Sequence, residues 1–229
     1  MSIVIPSAAP TSGPEGIPCL YQDADLLVLV KPSGLLCVPG RGPDKQDCLS
    51  ARVQTCWPEA LVVHRLDQAT SGLVLMARNL ATQRALSAAF AERRIHKRYQ
   101  AIVQGCWTPA ASDTSAWQLI DLPIAADWER RPLRVIDPLQ GKPSQTRWRV
   151  LSTDTQAPTT RVELEPLTGR THQLRVHLAA CGHAILGDAL YADAATLARA
   201  PRLLLHATAL QLVHPSTGQV LHYTCPADF

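Results

Sequence analysis

Nowhere in this sequence does an apolar run approach the roughly 18 residues that a membrane-spanning helix needs, so no membrane partner is expected. The opening segment, MSIVIPSAAPTSGPEGIP, has neither the basic leader nor the continuous apolar stretch of a signal peptide, and its prolines would break a leader helix. It reads as a mobile tail over residues 1–18, ahead of a single globular domain over 19–229. Cysteine spacing of the metal or redox kind is missing too: Cys19, Cys37, Cys48, Cys56, Cys106, Cys181 and Cys225 form an odd, scattered set with no CxxC pair. A chain of 229 residues can bury a real core without a disulfide scaffold, so reduced thiols in a cytoplasmic protein are expected. A Walker-type phosphate loop and an HExxH helix are absent, and Gly40-Arg41-Gly42 runs into Pro43 without completing a dinucleotide fingerprint. No two of His64, His172 and His177 stand beside a carboxylate at metal-ligand spacing. No cofactor and no metal are expected.

The balance of charge also falls short of an extreme. A net charge of +3 and a pI near 8.5 permit a nucleic-acid partner without demanding one. Distribution says more than the total, because cations gather in Arg93, Arg94, His96, Lys97 and Arg98, in Arg130, Arg131 and Arg134, and again in Arg170 and Arg175. Such runs hold phosphates in some proteins and serve solubility alone in others.

The chain alternates between strand-like and helix-like stretches. Leu26 to Val30 is wholly apolar and bounded by Asp25 and the turn Lys31-Pro32-Ser33-Gly34, which suits a strand buried on both faces. Asp47 is placed to cap a helix running toward Trp57, where Pro58 stops it. Val62-Val63 and Leu73 to Met76 read as strands joined by a polar loop from His64 to Gly72. Asn79 then caps a helix whose Leu86, Ala89 and Phe90 form one apolar face, and Tyr99 to Val103 follows as a strand. Beyond a Pro-rich, less regular middle, Thr146 to Leu151 and Arg161 to Leu164 alternate as strands with one wet side. Thr171 to Ala180 has helical composition and ends at Cys181-Gly182, while Leu203 to Val213 and Gln219 to Thr224 flank a hairpin turn. Strands separated now by helices and now by tight turns predict an α+β domain with a mixed, mostly antiparallel sheet flanked by helices.

Three segments concentrate polar groups of chemical use: His64-Arg65-Leu66-Asp67-Gln68-Ala69-Thr70-Ser71-Gly72-Leu73, Lys97-Arg98-Tyr99-Gln100-Ala101, and Leu167-Thr168-Gly169-Arg170-Thr171-His172-Gln173-Leu174-Arg175-Val176-His177. Each alone has an ordinary explanation. A loop aspartate commonly caps a turn, a tyrosine in a strand packs half-buried, and an arginine on a helix rests its stem on apolar neighbours. Together and in this order they resemble the RluA family of pseudouridine synthases, whose catalytic loop reads HRLDxxTSGL. The resemblance spans roughly residues 20 to 229 and is closest to the short, dual-specificity branch, since the chain has no room for the S4-type domain of longer relatives.

That resemblance implies an isomerase that converts uridine to pseudouridine in 23S ribosomal RNA and in a tRNA anticodon stem-loop. Asp67 would be the catalytic carboxylate, an anion at neutral pH able to attack or assist at the sugar carbon. Arg175 would hold it ionised through charge-assisted hydrogen bonds, and Tyr99 would stack on the uracil and relay a proton. Arg65 would fill the gap left by the flipped base. His64, Thr70, Lys97, Arg98, Arg170 and His172 complete the expected RNA-binding set, with no obligatory protein partner and a monomeric state. Two other classes stay open on residues alone: a non-catalytic RNA-binding or RNA-folding protein on the same scaffold, and a Cys/His hydrolase.

Overall fold

The computed structural model describes residues 13–108 and 116–229. In chain order its elements are β1 (Cys19–Gln22), β2 (Leu26–Lys31), α1 (Leu49–Cys56), β3 (Leu61–Val62), β4 (Ser71–Ala77), α2 (Leu80–Ala91), β5 (His96–Gln104), β6 (Gln118–Asp121), β7 (Ile124–Ala126), β8 (Arg134–Ile136), β9 (Gln145–Asp154), β10 (Thr159–Pro166), α3 (Gln173–Ala180), α4 (Ala194–Leu197), β11 (Leu205–Val213) and β12 (Val220–Thr224). Eight of the strand pairs are antiparallel and β4 meets β11 in parallel, and the class is α+β as the sequence predicts. The described residues divide into two compact units: the part up to Lys97 with His206–Asp228, and Arg98–Leu205 with Phe229.

In the first unit the apolar run Leu26 to Leu29 is fully buried and pairs antiparallel with β4, from Leu26↔Ala77 to Lys31↔Gly72. All seven residues of β4 are buried, so this strand forms the floor of the unit's core. Its start pairs in parallel with β11 through His206↔Ser71 and Ala207↔Gly72. At that point Gly72 has φ +109°, and a side chain there would collide with the backbone of Ala207. Only glycine allows both the backbone angle and the approach.

The turn between β1 and β2 is closed by Asp23, whose Oδ1 accepts the N–H groups of Asp25 and Leu26 at 2.7 and 2.8 Å. Of the expected tail, residues 1–12 lie outside the described residues. Ile17 is buried, and Pro18 O accepts the Val30 N–H.

Two caps separate expectation from outcome. Asn79 caps α2, its side chain accepting the Thr82 N–H at 2.8 Å, as expected. For α1 the cap is Cys48, whose thiol accepts from Ala51, while the exposed Asp47 one residue earlier turns to Arg52, 2.7 Å away. A carboxylate outside the cap position gains more from a guanidinium on the next turn than from helix N–H groups beyond its reach.

In the second unit the strand order is β5-β10-β9-β6, with β7 and β8 as a separate ribbon. The Pro-rich middle, expected to be less regular, holds three short strands. Runs of three and four residues are too short to show a period of two, and their partners fix them: β6 lies along β9 from Gln118↔Trp148 to Asp121↔Gln145. The alternation expected of β9 and β10 is present. Trp148, Val162, Leu164, Tyr99 and Ala101 are buried on one face. On the other, Arg147 and Arg98 pair with Glu165, Arg149 pairs with Glu163, and all three guanidinium groups lie within 5.1 Å of the Trp117 ring centre. Helix α3 packs on β10 and β8 and ends, as expected, at Gly182 in a left-handed conformation.

Candidate active site

The first unit carries the loop between β3 and β4, with Asp67 half-buried near its tip. A polar loop of this kind has no ladder to order it, so other groups must do so. The main one is Lys31. Its side chain is completely buried at the end of β2, and Nζ donates to Pro32 O at 2.7 Å, Leu35 O at 2.7 Å and Gln68 O at 2.9 Å. Three N–H groups meet three carbonyls, which is the full capacity of an ammonium. Ser33 Oγ donates to Ala69 O, the Gly34 N–H donates to Gln68 O, and the Leu66 N–H is directed at the Cys37 thiol. The chain on either side of Asp67 is thereby sewn to the turn after β2. Burial pulls the Lys31 pKa down to about 8, against the opposing pull of Cys37 and the Asp67 carboxylate.

His64 opens the same loop. Its Nε2 accepts the Leu75 N–H at 2.9 Å and its ring lies 4.5 Å from that of Phe90. Burial, with the Lys97 ammonium as a second cause, pushes the His64 pKa down to about 3, which keeps the ring neutral and able to accept. Lys97 Nζ lies 5.8 Å from the centre of the Phe90 ring, and burial lowers its own pKa. Thr70 is buried and its N–H donates to Asp67 O, closing the turn. Arg65, the cation of this loop, is exposed.

The second unit carries Tyr99, buried on β5 opposite Leu164. Its neighbour Arg98 points to the other face of the strand, toward Glu165 and Trp117. The segment before α3 is shaped by Gln173, which uses every donor and acceptor it has. Oε1 accepts from Thr168 Oγ1 at 2.7 Å and the Arg170 N–H at 3.0 Å, and Nε2 donates to Gln145 O at 2.9 Å and Thr146 Oγ1 at 3.0 Å. Thr146 in turn meets His177 Nδ1 at 2.9 Å, and His177 Nε2 meets Leu122 O at 3.0 Å. Burial lowers the His177 pKa.

Helix α3 thus sits on β9 through a continuous polar chain, with its N-cap, His172, in the left-handed region at φ 55°. Arg170 is exposed, with a long contact to Pro143 O. Arg175 is buried at 5% exposure and meets Asp188 with two hydrogen bonds of 2.8 and 2.6 Å.

Sequence reasoning assigned no role to Lys31, Thr146, Asp188 or Tyr191. For Lys31 a signal exists, a lysine closing a run of apolar strand residues directly before Pro-Ser-Gly. For Asp188 and Tyr191 none does, since a loop acid and a loop tyrosine are unremarkable until their partners are known. Among the described residues no three His, Cys, Asp or Glu side chains gather as metal ligands, and no helix is long and apolar enough to cross a membrane. All seven cysteines are free thiols.

Comparison with known proteins identifies the family of the chain. Residues 25–180 match the family model described as RNA pseudouridylate synthase. The chain is 47% identical over 210 residues to the dual-specificity RNA pseudouridine synthase RluA of Yersinia pestis, covering 92% of this chain and 98% of that protein. It is 46% identical to the protein of the same name from Escherichia coli K12, with 92% and 93% covered. Among solved structures, human RNA pseudouridylate synthase domain containing 1 superposes with a TM-score of 0.74 at 31% identity, covering 93% of this chain and 84% of that one.

Proposed function

The chain belongs to the RNA pseudouridylate synthase family, and from that premise we propose that its targets are a uridine in 23S ribosomal RNA and a uridine in a tRNA anticodon stem-loop. The protein is an enzyme, an RNA pseudouridine synthase that isomerises uridine to pseudouridine. The two-target reading is supported by the shared name of the bacterial relatives, which are dual-specificity enzymes. Residues 19–229 act as one catalytic domain, monomeric and cytoplasmic.

The reaction breaks the bond from N1 of uracil to C1′ of the ribose and remakes it from C5 to C1′; C5 gives up its proton and N1 gains one. Nothing is oxidised or reduced. Asp67 is the carboxylate that attacks or assists as the first bond breaks, Arg175 its guanidinium partner, and Tyr99 the flat face and hydroxyl for the detached base. Arg65 takes the place of the base swung out of its stack, at a cost of a few kcal/mol that is smallest in single-stranded RNA. Arg170, exposed beside α3, meets phosphate.

The observation that carries this assignment is the loop HRLDQATSGL itself, its aspartate half-exposed while the backbone around it is fixed to Lys31, Ser33 and Gly34. Backbone contacts of this kind fix the position from which the Asp67 side chain is presented. The test is tritium release from RNA labelled at C5 of uridine. The wild-type protein releases tritium and Asp67→Ala releases none; absence of release by the wild type would show a protein that binds RNA without chemistry.

A further inference from the structure

Arg175 carries a full positive charge in a nearly closed environment, and such a charge needs a partner of fixed geometry. Asp188 supplies it. The carboxylate lies at 0% exposure and receives Nε at Oδ2 and Nη2 at Oδ1, the paired fork that fixes a guanidinium in its own plane. Oδ1 also accepts the N–H groups of Leu190 at 2.9 Å and Tyr191 at 3.2 Å, so the carboxylate is itself immobilised by its own turn. The turn then folds back over the arginine. The Tyr191 ring lies 5.1 Å from the Arg175 guanidinium carbon, within cation–π range.

The Tyr191 hydroxyl is held at two points. It accepts the Arg134 N–H at 2.9 Å and lies 2.7 Å from His172 Nδ1, at the start of the helix that bears Arg175. Just before Asp188, Gly187 adopts φ +72° against the carbonyl of Arg202, where a side chain would strike the backbone. Two contacts, the paired hydrogen bonds to the carboxylate and the ring 5.1 Å away, restrict the orientation of the guanidinium. Only two of its five N–H groups enter the Asp188 pair.

We propose that Asp188 and Tyr191 are positioning residues that act through Arg175, setting the plane in which its remaining N–H groups are presented during uridine isomerisation. The proposal rests on the reading of Arg175 as a catalytic group. Neither residue touches the base. Asp188 fixes the edge, and Tyr191 transmits the position of the α3 N-terminus to the guanidinium.

The test combines a spectroscopic signature with a rate. In the ¹⁵N-labelled wild-type protein, the Nε–H of Arg175, assigned by its loss in Arg175→Lys, exchanges with water far more slowly than exposed arginines do. Exchange as fast as that of Arg65 would overturn the proposal without any variant having to fold. In Asp188→Asn that protection is lost. The single-turnover rate of pseudouridine formation then falls by about 100-fold, the scale of a displaced catalytic group, while RNA affinity stays within about threefold.

Tyr191→Phe, a milder change that keeps the ring, slows the reaction about tenfold by freeing the ring from its anchor to His172. In an Arg175→Lys background neither substitution slows the reaction further, because both act through the guanidinium. Equal slowing in the two backgrounds would overturn the proposal. A wild-type rate in Arg175→Lys would instead remove the catalytic reading of Arg175 and leave the exchange measurement to decide whether Asp188 holds it.

Discussion

The loop that presents Asp67 and the helix that presents Arg175 solve the same problem by opposite means. The loop has no regular structure and is fixed by groups acting on its backbone: a buried ammonium, a hydroxyl and an N–H binding the carbonyls of Gln68 and Ala69. Helix α3 has its backbone satisfied internally and is fixed by side chains, through the chain Thr168, Gln173, Thr146 and His177. On the loop, groups from elsewhere in the unit hold the main chain that bears the proposed carboxylate. On the helix the backbone is already complete, and the Arg175 side chain is held by its two hydrogen bonds to Asp188.

This difference is open to direct challenge. The largest effect is expected from Lys31→Met, which keeps the side-chain volume but leaves three carbonyls without their ammonium. Stability should fall by about 3 kcal/mol, read from the urea midpoint, and the single-turnover rate should fall further than RNA affinity. Thr146→Val, the matching cut on the helix side, should cost only about 1 to 2 kcal/mol, because Gln173 keeps its other three partners. Equal losses at the two sites would erase the distinction between backbone and side-chain anchoring.

A second contrast lies in pH. His64 has a pKa of about 3 in the fold against an ordinary value of 6.5. Between those values the unfolded chain takes up a proton that the folded protein refuses, so stability is fully present above pH 6.5 and declines as pH falls toward 3. His177, lowered by burial, acts in the same direction. His64→Gln, which can still accept the Leu75 N–H, should flatten the dependence of the urea midpoint between pH 6 and pH 5. An unchanged slope would mean that His64 does not anchor the loop as a neutral acceptor.

The smallest effect concerns the exposed cation of the loop. Arg65→Ala should slow turnover roughly tenfold on folded RNA and less on unstructured RNA, since filling a vacated stack matters only where a stack exists. Comparable losses on both substrates would remove that role from Arg65.

The proposed site was read from the residues themselves. The loop motif with Asp67, the strand with Tyr99 and the segment with Arg175 stood out by their order, and Asn79, Gly182 and the hairpin after β11 announced themselves through local turn and cap chemistry. Short-range rules worked where the deciding partner lay within about four residues. They failed for Asp47, displaced from its cap position by a neighbouring thiol, and for β6, β7 and β8, whose length hides any period. They also could not separate Arg98 from Tyr99 by environment; alternation along β5 sends the first to Glu165 and Trp117 and the second into the core.

By itself the sequence determined which family the chain belongs to, because the identity and order of its motif residues, Asp67, Tyr99 and Arg175 among them, are there before it folds. Its alternations also determined which strands have a dry face. Tertiary structure alone decided which polar residues are spent on holding others: Lys31 reaches Gln68 across 37 positions, His177 reaches Thr146 across 31, and Asp188 reaches Arg175 across 13. A buried charge or hydroxyl takes its partner from whatever the fold brings within about 3 Å. Spacing along the chain carries no record of that distance.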